Sequence, residues 1–486
     1  MQTLHFSTFQ RGVQRARLCE SWRRRDEIED VAYQPARTAM RIHPILIILY
    51  ALISIASNKS GAASIEMQIG EAASDRGGFI CWSPVRSRAR LLTDSSSEQK
   101  LTVSSVSSEH GGRVAFQQDG FGPPNKDSYS PSSTLNLTLP SNGAWVSFWI
   151  MGTKASIGAK DVRVLARNDS GEELGSVDVM VRVRKNAESL TGFEAQIFLD
   201  ALKKLHNVSN NAETSEYEPF VRIHEAANQL EIHRSPLFLP WHRALILDLE
   251  RRLQNIDPRV ALPYWRFDAP AARVFSDDFM GATVPGLPFV SGPGLGDWID
   301  PNMGRLIRDP AVLPNQGVLD PIVPATFHQA FVIFHRQIES SFHSGVHRNL
   351  GGWLAGATSP ADPLFFLLHA NVDRVWAHWQ ATYSRFQASD EAAYSAQGKY
   401  PGTGPDAGIY RKGTYADDPM WPWGYLNPTD ASGWPATTHG MPGMNSPSEA
   451  PSLTPARMVD YLGSYDNSAA LGYCYDDIDY LGRPIR

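Results

Sequence analysis

The sequence predicts a multidomain protein in which a small all-β sandwich precedes a mainly α core. Three observations predict it. At 486 residues the chain exceeds one ordinary domain. Between residues 66 and 188 apolar residues recur with period two in short runs. From Gly192 onward they recur at three- and four-residue intervals. Apolar content of 42% and charged content of 20% are those of a globular protein. The net charge of −6 contains no long block of one sign, so nucleic acid is not an expected partner. Cys19, Cys81 and Cys474 are too few for a disulfide scaffold or a Cys-based zinc site, and whether Cys81 and Cys474 pair is open. We divide the chain into an N-terminal extension with a signal peptide (1–65), a β-sandwich (66–188) and an α core (189–486).

The first segment is Arg-rich up to residue 39 and reads as an extension outside the fold. Behind Met40 and Arg41 comes an apolar run, Ile45 to Ala56, and then Ser60-Gly61-Ala62-Ala63. A run of this length is too short to span a bilayer. It fits a signal-peptide core followed by a small-residue cleavage site, which makes Met40 the expected start and export the expected destination. No stable membrane association is expected. Asn136, Asn168 and Asn207 each open an Asn-x-Ser/Thr triplet, a glycosylation acceptor in a eukaryotic secretory route.

The sandwich is expected from five runs: Val103–Val106, Leu135–Leu139, Trp145–Ile150, Val162–Ala166 and Val177–Val183. Turn clusters such as Asp119-Gly120 and Pro123-Pro124-Asn125 separate them. The stretch from Ser176 to Arg184 places Val at every second residue, the period of a half-buried strand. No catalytic constellation falls in this region. Shielding of a downstream site, assistance to folding and docking are all compatible with it.

In the α core, Phe193, Ile197, Phe198, Leu202 and Leu205 mark an amphipathic helix. A second helix over Tyr217–Leu230 carries His224. His233 and His242 follow at intervals of nine residues. On an unbroken helix that spacing turns successive side chains about 180° apart. The three imidazoles can therefore meet only if the chain breaks, and Pro236 and Pro240 supply the break. Pro240 also suits the first turn of a helix running to Gln254, with His242 on its apolar face. An unpaired imidazole buried there is costly, and a metal would satisfy it.

A second triplet lies downstream. His343 and His347 are four residues apart, on one helix face. His369 falls in a further apolar helix that opens with Asp362 as N-cap and Pro363 at its first position. Taken singly, each histidine reads more readily as an ordinary core or surface residue; two triplets of this construction point to metal. Neutral imidazole serves zinc, copper, iron or nickel, and no cysteine or suitably spaced carboxylate chooses among them. His378 should face away from His369. His206, His328, His335 and His439 lack partners at ligand spacing, although His328 and His335 share a face that could line a pocket.

The strings HRSPLFLPWHRALILDLERRL and HSGVHRNLGGWLAGATSPADPLFFLLHANVDRVWAHWQ resemble the two copper-binding regions of the tyrosinase, catechol oxidase and haemocyanin group of type-3 copper proteins. Leu262-Pro263-Tyr264-Trp265 and Tyr473-Cys474-Tyr475 resemble two further landmarks. The likeness spans roughly 190–480. It implies a tyrosinase-like core in which a four-helix bundle surrounds a dicopper site. His224, His233 and His242 would hold one copper ion, and His343, His347 and His369 the other. The implied enzyme is a copper-dependent polyphenol oxidase (a catechol oxidase or tyrosinase) that uses O2 to oxidise o-diphenols to o-quinones. Hydroxylation of monophenols is in question. The alternatives are an o-aminophenol oxidase and a haemocyanin-like oxygen-binding protein.

The resemblance also nominates residues around the metals. Glu339 matches a glutamate that holds a water able to accept the phenol proton. Ser344 stands where strong monophenolases often carry Asn, which weakens the case for hydroxylation. Arg348 matches a position at the site entrance, where a guanidinium would favour carboxylate-bearing phenols. Phe365 would stack near the substrate face, although it reads equally as core. Asp373 is expected to orient an imidazole or to pair with Arg243. Gly356 takes the place of the plant gate residue and implies an open site; Leu368 replaces a His often found before the last ligand. No His–Cys thioether is expected. The chain ends soon after Tyr475, so any cover over the site would come from the sandwich and not from a C-terminal lid.

Overall fold

The computed structural model describes residues 64–70, 77–92, 97–118, 129–206, 215–228, 232–312, 314, 317, 322, 324–405, 413–423, 453–465 and 470–481. The expected extension, signal-peptide core and start at Met40, with Cys19, Asn207 and His439, lie outside them. No described helix is long and apolar enough to cross a membrane.

The β region is a two-sheet sandwich. Its strands are β1 (Ile65–Gln68), β2 (Phe79–Ile80), β3 (Val85–Leu91), β4 (Gln99–Ser107), β5 (Arg113–Gln118), β6 (Leu135–Leu139), β7 (Val146–Lys154), β8 (Val162–Arg167) and β9 (Glu173–Val181). One sheet runs β1-β3-β7-β5 and the other β2-β9-β8-β4-β6. Neighbouring strands are antiparallel except β2 and β9, which run parallel. β6, Leu-Asn-Leu-Thr-Leu, alternates buried and exposed residues along its whole length, as a strand with one face on a core must. The five expected runs became β4, β6, β7, β8 and β9. The chain also forms β1, β2, β3 and β5, which its hydrophobic pattern did not announce.

The core that follows is mainly helical. Helix α1 (Gly192–His206) opens with a reciprocal cap: the Glu194 amide donates to Thr191 Oγ1, and the Thr191 amide donates to Glu194 Oε2. Phe193, expected on its apolar face, is instead exposed beneath the Arg259 guanidinium, because it lies at the helix entrance. Helix α2 spans Glu218–Asn228 and α3 spans Phe238–Ile256. Next, α4 (Phe331–Gln337), a π-helical turn (Ile338–His343) and α5 (Ser344–Leu350) follow without a break. Helix α6 covers Leu364–Tyr383, and α7 covers Pro455–Val459. Helices α3 and α6 pack together, with α1 and α7 against α3. The start of α6 is one residue later than expected: Pro363 is the N-cap, while Asp362 Oδ1 accepts the Leu364 amide and the Asp362 carboxylate pairs with buried Arg308.

Sandwich and helices meet along the C-terminal segment. Cys81, just past β2, is disulfide-bonded to Cys474, a separation of 393 residues. The Trp82 indole donates to the Tyr475 carbonyl, and the Arg184 amide donates to the Cys474 carbonyl. The Arg184 side chain continues the junction inward, bonding Glu250 of α3 and Asp373 in the middle of α6. The disulfide shortens the unfolded chain's reach, so Cys474→Ser should cost about 2–4 kcal/mol of stability. A urea midpoint equal to that of the oxidised wild type would show that the surrounding hydrogen bonds suffice.

Candidate metal centre

The six histidines of the two triplets converge. His224 sits on α2, His233 in the turn before α3, and His242 on α3 one turn after Phe238. His343 closes the π-helical turn, His347 lies on α5, and His369 on α6. Within each triad the ligand nitrogens lie within 4.8 Å of one another, and among the described residues no other such cluster occurs. The triads adjoin: the rings of His242 and His369 stack with centroids 4.3 Å apart, and those of His233 and His343 lie 5.9 Å apart.

Local structure sets the direction of each ring. The π-helical turn has the Ser344 amide bonded to the Glu339 carbonyl, with Ser344 Oγ donating to the same oxygen at 2.9 Å. Such wide turns inside helices concentrate at functional sites. Three rings are pinned through Nδ1: His224 donates to the Ala357 carbonyl at 2.7 Å, His242 to Phe238 at 2.8 Å, and His347 to Leu354 at 2.7 Å. A carbonyl can only accept, so Nδ1 carries the proton and Nε2 presents a lone pair.

On His224 and His242 that lone pair has nothing to meet, and on His347 it meets only Nε2 of His369, 3.4 Å away. Nε2 of His224 and of His242, both nitrogens of His343, and Nδ1 of His233 and of His369 are buried without a protein partner. Burial depresses all six imidazoles, with their mutual repulsion adding to it for most; His224 and His347 fall to about 4. The six rings are therefore neutral at physiological pH. Buried imidazoles with unspent lone pairs, in two groups of three and without thiolate or carboxylate, fit a pair of copper ions.

The other nominated residues divide. Glu339 is buried beside the site; burial pushes its carboxyl up to about 7, against the pull of the Arg234 amide that Oε1 accepts at 2.6 Å. Phe365 is fully buried, its ring 4.2 Å from that of His369 and 5.0 Å from that of His224. Ser344 spends its hydroxyl proton on the helix backbone. Arg348 is exposed, as is Gly356, which directly precedes the carbonyl that anchors His224. Leu368 is core.

Asp373 orients no imidazole. It pairs with Arg243 at 2.5 Å and with Arg184 at 3.2 Å, and it accepts the hydroxyls of Tyr473 and Tyr475. Of the two roles expected for it, the Arg243 pair is the one present. His328 and His335 do not line the site. His328 is exposed and accepts the Ala330 amide, and His335 is buried against Phe331. His378 turns away from His369 to Asp477, and His206 stacks on Trp298.

Phe238 was not anticipated, yet its ring lies within 6.3 Å of the rings of His233, His242, His343 and His369. Its position four residues before His242, on the same helix face, was the available signal. Trp241 packs 5.1 Å from His242 and donates its indole proton to the Trp421 carbonyl. The carbonyls of Ala357 and Leu354 have no sequence signature.

Residues 214–289 and 322–382 match the family model described as the common central domain of tyrosinase. The tyrosinase of Streptomyces glaucescens is 31% identical over 286 residues, covering 51% of this chain and 94% of that protein. The tyrosinase of Streptomyces antibioticus is 34% identical over 236 residues, covering 41% of this chain and 82% of the relative. Hemocyanin 1 of Megathura crenulata is 28% identical over 225 residues, 41% of this chain but 6% of that much longer protein. With two imidazole triads side by side and relatives matched over nearly their whole length, the chain belongs to the tyrosinase family and is a copper-dependent polyphenol oxidase with a dinuclear copper centre.

Proposed function

We propose that this enzyme oxidises o-diphenols to o-quinones with O2 and that hydroxylation of monophenols is its weaker activity. In this reading α2, α3, the continuous α4–α5 helix and α6 are the four-helix bundle. His224, His233 and His242 hold one copper ion, and His343, His347 and His369 hold the other. The observation that carries the reading is the contact of the two triads through stacked His242 and His369. Copper held in this way supplies a two-electron exchange with O2.

The chain's own groups do the rest. Phe238 and Phe365 wall the imidazoles with apolar surface and exclude water from them. Glu339, with its carboxyl at about 7, is poised to accept a phenol proton near neutral pH. Ser344 has no proton left to offer a water beside that carboxylate, which is why hydroxylation is assigned the lesser role. Exposed Arg348 adds a positive charge one residue after His347 and favours phenols that bear a carboxylate.

The decisive experiment compares turnover of L-tyrosine and L-DOPA by protein carrying two copper ions per chain. Turnover of L-DOPA well above that of tyrosine is expected; a chain loaded with two ions that leaves L-DOPA untouched would overturn the proposal. Comparing product spectra from catechol and o-aminophenol separates the aminophenol oxidase reading. Ser344→Asn adds an amide beside Glu339 and should raise the tyrosine-to-L-DOPA ratio several-fold. An unchanged ratio would remove Ser344 from substrate selection.

A further inference from the structure

We propose that Glu339 is a positioning residue whose carboxylate holds Arg234 in a left-handed backbone conformation and thereby fixes where His233 stands. This rests on the dicopper reading and goes beyond the role of Glu339 as a proton acceptor.

His233 is the least anchored member of its triad. His224 and His242 ride on helices and are each pinned through Nδ1 to a carbonyl. His233 lies in a turn, and its Nδ1 is buried without a protein partner. The next residue, Arg234, has φ of 58°, one of three positive-φ residues other than glycine among the described residues. A side chain with a Cβ resists that conformation, so it persists only where the surroundings enforce it. The enforcing contact is the Arg234 amide donating to Glu339 Oε1 at 2.6 Å, a short charge-assisted bond inside the protein.

Glu339 is itself held from behind. Its carbonyl accepts from the amide and the hydroxyl of Ser344 within the π-helical turn. One carboxylate thus ties the turn bearing His233 to the turn bearing His343, across 105 residues of sequence. A proton acceptor needs a group that titrates. A clamp needs only an oxygen that accepts, and glutamine supplies one.

The test measures copper per chain against a competing chelator in wild type, Glu339→Ala, Glu339→Gln, Arg234→Gly and the Glu339→Ala/Arg234→Gly pair. Glu339→Ala should weaken the binding of one of the two ions by roughly 10–100-fold, the range for lost support of a metal ligand. Glu339→Gln should return most of that loss, whatever it does to tyrosine hydroxylation. Arg234→Gly, which takes positive φ without penalty, should recover part of it in the alanine background. Wild-type copper affinity in Glu339→Ala, or glutamine no better than alanine, would overturn the clamp.

Hydrogen exchange at the Arg234 amide gives a readout independent of copper and of any variant's folding. Strong protection in the wild-type chain is expected, and exchange at the rate of an exposed turn would overturn the proposal. A wild-type chain that bound fewer than two copper ions would instead count against the dicopper reading, with the amide measurement still deciding the clamp.

Discussion

His369→Ala is expected to leave fewer than two copper ions per chain and to slow catechol oxidation by roughly a thousandfold, about 4 kcal/mol of lost transition-state stabilisation. His369 is the imidazole where both triads meet. Its ring stacks on His242 and lies 4.8 Å from that of His343, and its Nε2 is 3.4 Å from Nε2 of His347. Removing it opens one triad and withdraws packing from the other. The metal-free fold should survive, because the substitution deletes a buried ring whose Nδ1 lacks a partner. Metal analysis beside catechol turnover checks both halves. Two bound ions with near wild-type turnover would exclude His369 from the ligand set.

Asp373→Ala should produce the largest loss of stability, about 3–5 kcal/mol, the cost of breaking a buried ion pair by removing one partner. Arg184 and Arg243 are both fully buried, and Asp373 contacts each of them. Without it, Arg184 keeps Glu250, while Arg243 keeps only neutral partners, among them Gln380 and the Met458 carbonyl. The hydroxyls of Tyr473 and Tyr475 lose an acceptor as well. Asp373→Asn, which retains an acceptor, should fall between wild type and alanine. Urea midpoints rank the three, and a change below about 1 kcal/mol for alanine would mean that solvent reaches the arginines when the carboxylate is gone.

Much of the site was legible in the sequence because its grammar is local. Nine-residue spacing interrupted by Pro236 and Pro240, and a four-residue pair followed by a capped helix, determine which way imidazoles can point. The sandwich was legible where its strands bury large β-branched and aromatic residues. β3 was not, since Val-Arg-Ser-Arg-Ala-Arg-Leu turns three arginines outward over the small inward residues Ser87 and Ala89. Nor was the second partner of Asp373, Arg184, which stands 189 residues away in the chain. Asp373 was correctly expected to meet Arg243, but a pattern four residues from His369 also suggested a link to the metals. Charge pairing across the fold decided otherwise. The π-helical turn and the carbonyls that steer three rings are backbone features that no residue type announces.

The bridge from Cys81 to Cys474 also imposes a timetable. At about 5–20 residues per second, the ribosome needs roughly 20–80 s to travel between the two cysteines. During that interval the six histidines are synthesised while Cys81 waits as a thiol, and Arg184, once made, waits for the Cys474–Tyr475 segment that will flank it. Final locking of the two halves of the molecule therefore cannot precede the synthesis of all six histidines, and it requires an oxidant that has spared Cys81 until its partner emerges.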